Sequence, residues 1–262
     1  MSLEPMDDRW ILLLGVMLAA AAAVQGLSYL RRGERSRWTV LWMLGAFACQ
    51  FIVLGSRSEL RGSCPLGDTG EMLIFASWAV TMCYLAVGSV FRLSLLGVFT
   101  APLVCFLLSM ALIPGMLENN PPHADHVDGW RESHAAFSVL AYGALGLAAV
   151  TAVMFLVLDK QLKGGEFGKG LFRNLPPVRE LGLVVRRLLW LGLFLLTLGV
   201  VSGLVMKASG ETAARHLYAA AGQWVAYLLL LVVSVWRGMP PKRFATATVV
   251  LFFCSLLIFT LL

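Results

Sequence analysis

Charge is what this chain of 262 residues has least of: Asp, Glu, Lys and Arg make up only 14% of it. A soluble globular domain carries about 25%. Apolar residues fill the gap at 59%, with a mean hydropathy of +0.80. A single water-facing core of this length cannot hide so much apolar surface, so a soluble enzyme, a disordered chain and a disulfide scaffold are all excluded. Cysteine is scarce too. There are five, Cys49, Cys64, Cys83, Cys105 and Cys254, and no two are spaced Cys-x-x-Cys. That argues against a thioredoxin-like exchange site and against a covalent c-type haem in this chain. Four of them lie in apolar runs, where cysteine serves as a small hydrophobe.

What the chain has instead is long apolar runs. Eight are long enough for a hydrocarbon core that needs about 20 helical residues: Trp10–Leu30, Trp38–Leu54, Met72–Phe91, Leu93–Ile113, His134–Leu158, Leu188–Met206, His216–Trp236 and Phe244–Leu262. Backbone amides in lipid must bond within their own segment, so the runs are expected to be helices. The expectation is therefore an all-α, polytopic membrane protein of eight spans, forming one membrane domain over residues 1–262. The second run is short at 17 residues, and Arg92 alone marks the turn between the third and fourth. Met1–Arg9 is acidic and leads into the first run without a small-residue cleavage pattern, so that run reads as a retained span.

Basic residues set the orientation. The connections after the first, third, fifth and seventh runs hold 15 of the 21 Lys and Arg. These loops are expected on the cytoplasmic side, which puts both termini on the external side. The net charge of +6 is explained by that bias, and no basic stripe suggests nucleic acid. The connection Asp159–Arg187 is basic and Gly-rich, and its Pro176-Pro177 reads as a helix start. A surface of this charge is attracted to anionic lipid and could equally serve as a protein contact.

Ionisable residues are missing from the middle of every run, which disfavours an ion or proton pathway. Matched broken helices are missing as well, so a transporter ranks last among the readings. Histidine is the informative residue. His123, His126, His134 and His216 all fall outside or at an external helix mouth, and His134 and His216 each open a run that enters the membrane from the same side. Two imidazoles at similar depth, walled by apolar helices, suit axial ligation of haem iron; the plainer alternative is that histidine favours interfaces. His123-x-x-His126, near Asp125 and Asp128, has the content of a divalent metal site but sits in a Pro-Pro loop that reads as solvated. Trp78 and Trp224 lie about two turns inside their runs, deep enough to stack on a flat apolar ligand, and Trp130 precedes the fifth run. An interfacial aromatic belt accounts for most of this clustering without a ligand.

Three segments carry a family resemblance: Cys64-Pro65-Leu66 with Glu71, Phe75-Ala76-Ser77-Trp78 and Tyr84; Trp130 and His134 with Leu140-Ala141-Tyr142-Gly143; and Gln223-Trp224 with Trp236-Arg237-Gly238. In order and spacing, over about residues 64–262, the chain resembles the cytochrome c assembly family of haem-handling membrane proteins (CcsA/CcmC type), in particular its HemX/YpjD-like branch. The resemblance implies a non-enzymatic protein of the bacterial inner membrane for cytochrome c-type biogenesis. His134 and His216 would hold haem iron at the external face, beside Trp130, Trp78, Trp224 and Glu71. It implies an apocytochrome c and a maturation subunit with a soluble external domain as partners. The family's Trp- and Asp-rich loop has no counterpart, since Lys207–Arg215 is nine residues with neither. The chain thus resembles a reduced member, with one external site or none. The branch also implies an alternative: a cofactor-free regulatory or scaffold protein tied to control of tetrapyrrole synthesis.

Overall fold

The computed structural model describes the backbone of residues 5–32, 38–91, 96–117, 128–164, 178–205 and 211–261. Side chains are described for 8–29, 38–87, 96–117, 128–164, 181–205 and 218–257. Eight helices account for nearly all of it: α1 (Pro5–Arg32), α2 (Trp38–Arg61), α3 (Thr69–Phe91), α4 (Leu96–Ala111), α5 (Gly129–Lys163), α6 (Val178–Val205), α7 (Glu211–Trp236) and α8 (Pro241–Leu261). Each matches one of the eight apolar runs. Six are long and apolar enough to cross a membrane among the described residues, and α4, with 16 residues, is a shorter apolar helix. The Arg92 turn and the His123-x-x-His126 loop lie outside the described residues.

The helices group into two compact units, α1–α4 and α5–α8. In each, successive helices pack side by side and the last closes back on the first, α4 on α1 and α8 on α5. Outward faces are apolar: Trp10, Leu14, Met17 and Val24 stand exposed along α1, as do Phe194, Val201 and Leu204 along α6. Such faces suit lipid contact. Buried hydroxyls turn inward onto their own helix, as Thr81 does to the Ser77 carbonyl, Thr100 to Leu96, Thr151 to Leu147 and Thr248 to Phe244. In a medium without water this satisfies a polar group at no expense to the packing.

α2 runs to Arg61 and not to Leu54, because the residues beyond Leu54 form a buried charged turn and not a loop. Its end is marked by Gly62, at φ 66°, whose N–H reaches the Ser58 carbonyl at 2.9 Å. This is the left-handed position a helix stop favours in glycine. α3 is pinned where it starts, since the Gly70 N–H donates to the Met116 carbonyl at 2.7 Å in the turn after α4.

α5 and α6 make the most intimate pair. Small residues on α6 face α5: a Cβ on Gly192 would stand 2.6 Å from Leu145, one on Gly199 3.1 Å from Ser138 and one on Gly203 2.9 Å from His134. Glycines four residues apart let two backbones approach closely, as small-residue seams do in membranes. Gly182, on the same helix, has open space around it. Gly192→Leu is therefore expected to lower stability by about 1–3 kcal/mol through overpacking, and Gly182→Leu to leave it unchanged or slightly raised. Thermal unfolding of the two variants in one detergent checks the contrast.

Candidate haem-facing site and the buried charge cluster

α5 begins five residues before His134. Asp128 caps it, its carboxylate accepting the Trp130 N–H at 3.1 Å, so His134 sits in the second turn of a formed helix. Trp130 lies four residues earlier on the same helical face and is 53% exposed. The half-buried imidazole of His134 leans on the Gly199–Gly203 seam, with Nδ1 2.6 Å from the Gly199 carbonyl oxygen. A carbonyl only accepts, so Nδ1 carries the hydrogen. In the neutral ring Nε2 is then left with the lone pair. That is the arrangement in which a histidine is oriented for metal ligation.

His216 lies on α7, and its side chain is outside the described residues. Tyr142 on α5 donates to the Gln223 amide oxygen on α7 at 2.9 Å. Tyr142 stands eight residues after His134 and Gln223 seven after His216. α6 braces both partners. Its Thr197 hydroxyl takes the Trp224 indole N–H at 2.8 Å, while Gly199 and Gly203, within two turns, meet α5. Trp224 is thus half-buried and tied to α6. Tyr218, one turn before Gly222, is exposed.

Glu71 and Trp78 lie in the other unit, both on α3. Trp78 is stacked on Phe47, with centroids 5.6 Å apart and planes at 18°, and Phe75 is tilted against it at 5.5 Å. One ring face is therefore covered by protein. Glu71 has a different setting from the expected one. It is fully buried, and Arg57 Nε reaches its Oε1 at 3.0 Å, Arg61 Nε its Oε2 at 2.7 Å and the Gly67 N–H its Oε2 at 2.9 Å. Asp68 Oδ2 takes the remaining ends of both guanidiniums, at 3.0 and 3.3 Å. Asp68 also accepts the Glu71 N–H at 2.7 Å, which caps α3. Two cations and two anions thus neutralise one another in a largely buried cluster. Gly67 is required beside them, since a Cβ there would collide with the Arg61 guanidinium.

By hydropathy alone Arg57 and Arg61 fall in a loop, and Asp68 goes unremarked. The signals were present: two arginines four apart on one face of the run, then Asp68-x-x-Glu71 in capping-box spacing. Gly199, Gly203 and Thr197 were missed as well, although the Gly-x-x-x-Gly spacing is readable.

The family pattern described as Cytochrome C assembly protein matches residues 66–262. The chain belongs to the cytochrome c assembly family. It is 30% identical over 133 residues to the cytochrome c biogenesis protein CcsA of Nostoc punctiforme, a match of 48% of this chain and 38% of that protein. It is 31% identical over 129 residues to the CcsA of Rippkaea orientalis, again 38% of the relative. The chain therefore matches well under half the length of these CcsA relatives. Protein HemX of Brevibacillus brevis is 29% identical over 207 residues, 76% of this chain and 74% of that protein. No solved structure matches.

Breaking the charge cluster from one side should be severe. Glu71→Gln leaves two guanidiniums against one carboxylate, with an expected loss of about 3–5 kcal/mol. The double variant Arg57→Met/Glu71→Met keeps the Arg61–Asp68 pair balanced and is expected to recover most of that loss. Unfolding midpoints in detergent for wild type, single and double variants decide it; equal losses would mean the cluster is not coupled.

Proposed function

We propose that this chain is a non-enzymatic membrane protein of cytochrome c biogenesis that holds or guides haem at its external face. The observation that carries the reading is the His134 ring, whose Nδ1–H is fixed on the Gly199 carbonyl while Nε2 is left for a ligand. The Tyr142–Gln223 bond ties α5 to α7 eight residues after His134 and seven after His216, which supports His216 as the second axial ligand. Trp130 offers an exposed aromatic surface one turn from His134, and Trp224 holds α7 in register through Thr197. Glu71 and Trp78 lie on α3 of the other unit, Glu71 in the charge cluster at its start and Trp78 stacked on Phe47 further along.

Bound there, haem would supply the vinyl groups that become thioethers on an apocytochrome c. The protein's own residues orient the iron ligands and wall off the ring. The partners in this reading are haem, apocytochrome c and a maturation subunit, in the inner membrane of a bacterium. Eight spans with both termini external complete the topology. With Lys207–Arg215 so short, one external site suffices.

The alternative is a cofactor-free regulatory protein linked to tetrapyrrole synthesis, favoured by the long alignment with Protein HemX. The two readings separate spectroscopically. Purified wild type supplied with haem is expected to give a Soret band that His134→Ala abolishes and His216→Ala shifts or abolishes. Gly203→Ala, which pushes on the imidazole from behind, is expected to weaken haem binding by about tenfold while the fold persists. A wild type with no Soret band after haem supply ends the ligation reading and leaves the regulatory one.

A further inference from the structure

At the far end of the α5–α8 unit from His134 lies a cavity of about 540 Å³. Its walls come from three places: the last turns of α5, the first turns of α6, and the turn into α8. The floor is apolar, made by Phe155, Val185, Phe244 and Ala245, while Lys163, Arg186 and Lys242 line it with charge. Asp159 is the one carboxylate among the described lining residues, and Lys163 Nζ already holds it at 2.7 Å. Arg186 lies over the Phe244 ring at 5.7 Å, a contact that fixes the guanidinium across the floor without using its hydrogen-bond donors. α8 adds a fourth positive feature. It opens at Pro241; the Phe244 N–H donates to the Pro240 carbonyl at 3.0 Å, and the Lys242 and Arg243 N–H groups before it have no carbonyl partner within the helix.

We propose that this cavity binds the phosphate headgroup of an anionic phospholipid, with the start of an acyl chain on the Phe155–Val185–Phe244 floor. Three observations converge on that chemistry. The charge surplus is positive, so the ligand is an anion. The floor is apolar and continuous with helices that end here, so the ligand is an amphiphile. Arg186 lies in the first turns of α6 and Lys242 at the start of α8, and basic pockets between membrane helices at headgroup level take phosphate headgroups. The site is independent of the haem reading, and either can fail without the other.

Gly182 gives a clean way to test it. It lines the cavity, and a Cβ added there meets nothing within 4 Å, so Gly182→Phe is expected to reduce the space at little cost to the fold. The full chain is purified in detergent, delipidated and titrated with phosphatidylglycerol or phosphatidylcholine, and bound lipid is read by native mass spectrometry. Wild type is expected to prefer phosphatidylglycerol. Arg186→Gln and Lys242→Gln are each expected to reduce that preference about fivefold, and Gly182→Phe to remove it with an unchanged unfolding midpoint. Equal retention of the two lipids by wild type overturns the proposal, as does full phosphatidylglycerol binding by Gly182→Phe. Displacement of the lipid by millimolar inorganic phosphate assigns the cavity to a free anion and overturns the lipid as its ligand.

Discussion

The contact between His134 and the Gly199 carbonyl is the interaction on which the α5–α8 unit turns. It favours an α6 surface with no side chains at 199 and 203, because a Cβ there would crowd Ser138 at 3.1 Å and the imidazole at 2.9 Å. The Ser202 hydroxyl lies between the Leu198 and Gly199 carbonyls, at 2.8 and 2.9 Å, and shares its one hydrogen between them. The seam therefore does two jobs. It brings α5 and α6 within backbone reach, and it selects one tautomer of the ring that rests on it. Helix packing and ligand chemistry are set by the same pair of glycines.

The α1–α4 unit meets a different constraint by a different means. Four ionised side chains are buried at the α2–α3 turn, and burial of any one alone would be prohibitive. They are held by each other, by the Gly67 amide and by the cap on α3. Their net charge is zero, so the unit can bury four charges where α2 meets α3 and still present an apolar exterior.

Element identity was readable because apolar runs in a lipid-solvated chain have one solution, and every run coincides with a helix. Boundaries were less readable. α2 outruns its apolar stretch by seven residues, since charge that cancels within a turn does not end a helix. α5 begins at Gly129 and not at His134, for the cap at Asp128 is polar and hydropathy does not register it. Of the site, His134 was legible as an imidazole at a helix mouth, and Trp130 as its neighbour one turn away. What orients His134 was not, because its partner is 65 residues distant and is a backbone atom. Glu71 was picked out for its place in a motif; its Arg57 and Arg61 partners become visible only when α2 and α3 are folded against each other.

α5 is 35 residues long, about 52 Å at the rise of an α-helix, against a hydrocarbon layer of about 30 Å. The surplus has to emerge into the headgroups or be absorbed by leaning. It is divided between an end that bears Trp130 and His134 and an end that bears Lys160 and Lys163. Bilayer thickness thereby becomes a variable for this protein: a thicker membrane draws the imidazole toward the acyl chains, and a thinner one lifts it into water.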